Sequence, residues 1–264
     1  MFEWWKIIIL GAVEGLTEFL PISSTGHLLI VAKWLDFHGS AGGTFEIFIQ
    51  LGAILAVIGY YARDLLAQVQ SVTHDRATQR FWLNLLVAFL PAALVGFVFR
   101  NKIKEVLYAS PHVIAWAFII GGIVLLIVEL LPKRQVTTKD IFGFTLPQAL
   151  STGLFQILAL VPGVSRSGAT IVGGMLSGVD RAAATRFSFY LAIPVLVVAT
   201  GYDLLKSLHQ LSANDFSALA LGLVVAMITA WFSIGWLLRY VANHTFIPFG
   251  IYRILAGLLI LWLM

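Results

Sequence analysis

No cysteine occurs anywhere in the chain, which excludes disulfides, thiolate nucleophiles and zinc–thiolate centres in any compartment. Charge is scarce as well: Asp, Glu, Lys and Arg together make up 11% of the residues, against about 25% in soluble domains. Long polar connections are also missing, so no soluble domain of any size is expected. What fills the sequence instead is apolar, with 59% hydrophobic residues and a mean hydropathy of +0.92. That balance defines an integral membrane protein, in which several runs approach the ~20 residues a spanning helix needs. Glu14 and Glu18 interrupt the first apolar run and no small-residue cleavage site follows it, so the N-terminus is expected to be retained rather than removed as a signal peptide. The net charge of +4 does not point to nucleic acid, because the basic residues scatter over connections as membrane topology requires.

Setting Gly26 on Gly168 exposes an internal repeat at an offset of 142 positions. Gly11 then falls on Gly153, Glu14 on Gln156, Leu16 on Leu158, Ser23 on Ser165, Thr25 on Ser167 and Phe45 on Phe187. Each half opens with two apolar segments too short to span, joined by a hydroxyl-rich elbow. Residues 6–35, broken at Pro21, and residues 147–178, broken at Pro162-Gly163, are therefore read as re-entrant helix hairpins. Spans are predicted near 45–61, 81–99 and 112–131 in the first half, and near 186–202, 217–238 and 248–264 in the second. Tyr60, Tyr61 and Trp82 are expected as interfacial anchors, and Pro91 and Pro194 as packed kinks.

A hairpin returns to the face it entered from, whereas three crossings do not, so the second half starts on the opposite face. The expected fold is all-α, a single membrane domain over 1–264 built of two inverted-topology repeats, about 1–131 and 147–264, each a re-entrant hairpin plus three transmembrane helices. The elbows should meet near the midplane. Leaving aside the intramembrane Arg166 and Arg253, the face holding both termini carries six basic residues and the other nine, which puts the second face in the cytoplasm.

Ionisable groups deep in a membrane cost roughly 2.5–3.5 kcal/mol each and are functional candidates by default. Glu14, Glu18, His27 and Arg166 all belong to the hairpins. Glu14 and Glu18, one helical turn apart, repel unless they share a proton or a cation, and their hard oxygens suit Mg²⁺ or Ca²⁺. The alternative is a carboxylate held neutral by burial. Arg166 offers a planar fork for phosphate oxygens at the start of a helix flanked by Ser165 and Ser167, with Gly168 allowing close approach. The other reading of Arg166 is an ion pair that locks the two repeats together. Ser23, Ser24, Thr25 and Gly26 form the first elbow, and His27 lies within one turn of both serines, a spacing that permits an imidazole-activated hydroxyl. His38, His74, His112, His209 and His244 fall in loops or near ends and are assigned no chemistry.

Two stretches, Glu14-Gly-Leu-Thr-Glu18-Phe-Leu-Pro-Ile-Ser-Ser-Thr-Gly-His27 and Pro162-Gly-Val-Ser-Arg-Ser-Gly-Ala-Thr170, resemble the signature motifs of the bacterial undecaprenyl-diphosphate phosphatases, also called bacitracin-resistance proteins. The likeness extends to Phe45-Glu46, Ile49-Gln50-Leu51-Gly52 and Phe246-Ile-Pro-Phe-Gly-Ile-Tyr-Arg253. It implies hydrolysis of undecaprenyl diphosphate to the monophosphate and inorganic phosphate at an outward-facing site in the inner membrane, recycling the lipid carrier for cell-wall synthesis. It also implies divalent-cation dependence, with Glu14 and Glu18 near the metal and diphosphate, Arg166 on phosphate, and Ser24 or His27 in the catalytic step. Ser23, Thr25, Gly26, Ser165, Ser167, Gly168 and Thr170 are the expected substrate-binding residues. Membrane lipid is the other expected partner, and a homodimer is left open. A secondary transporter or flippase of an anionic lipid is the rival, since inverted repeats with broken helices are a transporter plan.

Overall fold

The computed structural model describes residues 3–37, 44–102, 110–131, 135–207 and 215–263. Among them, regular structure is helical apart from one parallel bridge between Thr138 and Val179. Helices α1 (Trp4–Thr17) and α2 (Ser24–Trp34) form the first broken pair, and α7 (Leu146–Ile157) and α8 (Arg166–Leu176) the second. With 14, 11, 12 and 11 residues, none of the four can cross. At about 1.5 Å per residue they reach roughly 16–21 Å against a hydrocarbon core of roughly 30 Å.

Helices α5 (Arg76–Lys102), α6 (Pro111–Leu130), α9 (Arg181–Ser207) and α10 (Asp215–Asn243) are long and apolar enough to span. This is a multi-pass membrane protein. Helices α5 and α9 run through Pro91 and Pro194. Two predicted spans are shorter than a full crossing: α3 (Thr44–Tyr60) has 17 residues and α11 (Ile247–Trp262) has 16. Helix α3 turns by 66° at Tyr61 into α4 (Ala62–Ser71), which the sequence reading left as a connection. Leu66 and Val69 on α4 stay exposed while Arg63, Asp64, Gln68 and Gln70 alternate with them, the make-up of a helix lying in the membrane interface. Of the expected anchors, Tyr60 reaches the surface, Trp82 is half-buried, and Tyr61 is buried against Tyr190 with ring centroids 4.5 Å apart.

Packing is reciprocal between the halves. Helix α1 packs on α10 and its counterpart α7 packs on α5, while α3 packs on its counterpart α9 and α6 on its counterpart α11. Without a hydrophobic drive between helices in lipid, such crossings depend on close backbone approach. At Gly15 an added Cβ would lie 2.3 Å from the Ala226 carbonyl and 2.1 Å from Thr229 Oγ1, so α1 reaches its depth beside α10 only with glycine there. On the face opposite the termini, Glu129 of α6 accepts from Arg181 Nε at 2.8 Å and Nη2 at 2.5 Å, and from the Phe246 backbone N–H at 2.7 Å. That one carboxylate ties α6, the start of α9 and the start of α11.

Candidate functional site

The first elbow runs from Glu18, the C-cap of α1, to Ser23. Ser23 sits at φ 71°, a left-handed conformation that costs a non-glycine residue about 1–3 kcal/mol and concentrates at functional sites. Its side chain makes no capping bond to α2. The second elbow turns at Gly163, at φ 91°, where a Cβ would meet the Ile114 carbonyl at 2.8 Å. Ser165 then caps α8, its Oγ accepting the Gly168 N–H at 3.1 Å.

The elbows touch. Ser165 Oγ and Ser167 Oγ donate to the Leu20 carbonyl at 3.3 and 2.7 Å, and Gly168 faces Pro21. Across this contact Arg166 Nη2 donates to Glu18 Oε1 at 3.3 Å and Nη1 to the Ser188 carbonyl of α9 at 3.1 Å, while Nε has no acceptor among the described residues. The other oxygen of Glu18 accepts from the Ser24 hydroxyl in a short hydrogen bond. One carboxylate thus holds a serine from its own half and an arginine from the other. Glu14, one turn below, is fully buried, and among the described residues neither of its oxygens has a hydrogen-bond partner. An isolated buried carboxylate is costly, so this group demands a proton or a cation.

His27 points elsewhere. Its Nδ1 lies 2.7 Å from the Ser23 carbonyl and its Nε2 2.6 Å from the Tyr252 hydroxyl of α11. The carbonyl can only accept, so the neutral ring carries its proton on Nδ1 and Nε2 accepts from Tyr252. The imidazole–serine pairing that the spacing permits is not made: Ser24 is bonded to Glu18 instead.

The expected binding hydroxyls divide in two. Ser165 and Ser167 join the elbows, and Thr170 bonds the Arg166 and Ser167 carbonyls and, at 2.7 Å, Ser188 Oγ. Gly26 packs on Phe118, where a Cβ would lie 2.3 Å from the ring. Ser23 is buried and Thr25 is half-buried. The site is buried, with Glu18 7% and Ser24 5% exposed. An apolar groove of about 360 Å³ runs between α3 and α10, lined by Leu55, Gly59, Met227, Ile228, Trp231 and Phe232. Of the histidines given no role, His74, His112 and His244 are exposed, and His38 and His209 lie outside the described residues.

Sequence reasoning passed over Arg253, which was set aside in the charge count, and Tyr252. The available signal was a lone cation within an otherwise apolar helix.

Comparison with known proteins agrees along nearly the whole chain. The model of the bacitracin resistance protein BacA family matches residues 7–259. Similar curated proteins include the undecaprenyl-diphosphatase of Methylococcus capsulatus, 48% identical over 98% of this chain and 94% of its own. Those of Albidiferax ferrireducens and Methylobacillus flagellatus are 48% and 49% identical over 97% of this chain, and over 93% and 96% of their own. The chain belongs to the bacitracin resistance protein BacA family.

Proposed function

We propose that this protein hydrolyses undecaprenyl diphosphate to undecaprenyl phosphate and inorganic phosphate. One observation carries the reading: Ser24 and Arg166 converge on Glu18 where the two elbows meet, in a chain whose similar curated proteins bear the name of that activity. Ser24 Oγ attacks the terminal phosphorus, its proton passes to Glu18 Oε2, and undecaprenyl phosphate leaves. Water then cleaves the phosphoserine, releasing phosphate and restoring the hydroxyl. Arg166, which donates to the Ser188 carbonyl at 3.1 Å and to Glu18 at 3.3 Å, exchanges both for phosphate oxygens as charge develops.

The orphaned oxygens of Glu14 support a divalent cation, Mg²⁺ or Ca²⁺, held by Glu14 with Glu18. Among the described residues no cluster of three or more His, Cys, Asp or Glu surrounds them, so the remaining ligands would come from phosphate and water, as hard cations accept. When bound, the cation supplies neutralisation of phosphate charge. The reciprocal packing of α1 on α10 and α7 on α5 supports the inverted-repeat reading. In this account the site opens to the outer face of a bacterial inner membrane, and its product re-enters cell-wall synthesis, from which bacitracin resistance follows. The transporter rival gains nothing from the Ser24–Glu18 bond, which a carrier does not need.

The test is phosphate release from undecaprenyl diphosphate by purified protein in detergent, with and without chelator. Multiple-turnover, chelator-sensitive release is expected. No release under any cation condition would end the proposal and favour transport.

A further inference from the structure

Arg253 is 2% exposed in the interior of a membrane helix, where a charged side chain is costly and must find partners within the protein. Among the described residues its hydrogen-bond acceptors are all backbone carbonyls. Nη1 donates to Pro21 O at 3.1 Å, Nη2 to Gly163 O and Ala117 O at 2.9 Å each, and Nε to Phe118 O at 3.4 Å. The guanidinium also lies over the Phe118 ring at 5.5 Å. Helix α6 makes room for it with Gly121, where a Cβ would sit 2.1 Å from Nη2.

Pro21 and Gly163 are not arbitrary acceptors. They are 142 positions apart, the offset of the internal repeat, so a single side chain grips equivalent carbonyls in the two elbows. Ser24 and Arg166 each follow three residues later and are themselves equivalent at that offset. The fork therefore spans the base of both arms that converge on Glu18. The preceding residue of α11, Tyr252, holds His27 in the same region.

We propose that Arg253 is a positioning residue for the reaction: it touches no reacting atom, and by holding the Pro21 and Gly163 carbonyls on one planar fork it fixes the separation of Ser24 and Arg166. The rigid guanidinium is essential to this role. Lysine keeps the charge, but its single flexible ammonium cannot reproduce the fixed geometry to carbonyls on three separate segments. The proposal rests on the phosphatase reading for its kinetic effect and on the fold alone for its structural one.

Both are measured on purified wild type, Arg253→Lys and Arg253→Met in detergent. Hydrogen exchange by mass spectrometry follows the elbow peptides 18–27 and 158–168. Exchange of the two elbows should rise together in Arg253→Lys, with α9 and α10 unchanged. In phosphate-release kinetics kcat should fall about 100-fold, the loss expected from ångström-scale misplacement, while KM moves by less than about threefold. A merely structural role would instead leave kcat per folded molecule within about threefold of wild type, and that result overturns the proposal. So does a rise in KM with unchanged elbow exchange, which would make Arg253 a substrate ligand. If Arg253→Met fails to fold, Arg253→Lys alone decides. If wild type releases no phosphate, the proposed reaction fails, and the exchange experiment still confirms or overturns the clamp.

Discussion

Replacing Arg166 by lysine separates an anion-binding arginine from one that merely locks the halves. The guanidinium lies between Glu18 and the Ser188 carbonyl, 3.3 and 3.1 Å away, with Phe19 at 6.0 Å. Lysine retains the positive charge beside Glu18, so the buried carboxylate keeps a partner and the fold should persist. Alanine is less informative, because stranding a buried carboxylate costs about 3–5 kcal/mol and confounds activity with folding. What lysine loses is the planar two-point grip on phosphate oxygens. A donor of that kind is worth about 2.7–4 kcal/mol in the transition state, by the example of oxyanion-hole deletions. At about 1.36 kcal/mol per decade this corresponds to a loss of roughly 10²–10³ in kcat. The assay is phosphate release alongside thermal unfolding of the same preparation. Activity within about tenfold of wild type would refute the reasoning and leave Arg166 as the lock.

Further outcomes follow from other parts of the molecule. Gly163→Ala should lower the unfolding temperature, because the new Cβ collides with the Ile114 carbonyl at a left-handed residue; unchanged melting would count against the tight second elbow. Glu129→Gln should lower the unfolding temperature, since it takes one of the two carboxylate oxygens that grip Arg181, and thermal unfolding measures the loss. Asp75 accepts the Thr78 hydroxyl and the Thr78 and Ala77 amides, which hold its carboxyl below the ordinary value of 3.8. A depressed acid contributes stability that is fully present above its unfolded pKa and lost as pH falls through the folded one. Protection of the first amides of α5 should therefore fade only below about pH 3.8, and Asp75→Asn should remove that dependence in hydrogen exchange.

Much of the architecture was written in length and punctuation. Apolar runs of 11–14 residues cannot cross a bilayer, so the breaks at Pro21 and Pro162-Gly163 announced two broken helix pairs. The repeat offset brought Glu18 and Arg166 to one locality because it aligned the elbows that carry them. Side-chain direction was less legible. His27 lies one turn from Ser24, yet its ring is claimed by Tyr252, 225 residues away, and by the carbonyl of Ser23. The bend at Tyr61 was hidden because the apolar span ends at the Tyr60-Tyr61 pair and the more polar residues 62–71 read as a connection, and its cause is tertiary: Tyr61 packs into the core against Tyr190. Arg253 could be suspected from burial cost, but its carbonyl partners come from three separate segments that only the fold assembles.

The most direct test of the central claim, that Ser24 activated by Glu18 performs the chemistry, is the rate of phosphate release by Ser24→Ala under saturating cation and substrate. Removal of a nucleophile should reduce kcat by at least ~10³-fold while the protein stays folded. Release by Ser24→Ala within about tenfold of wild type would contradict the account and assign the attack to water.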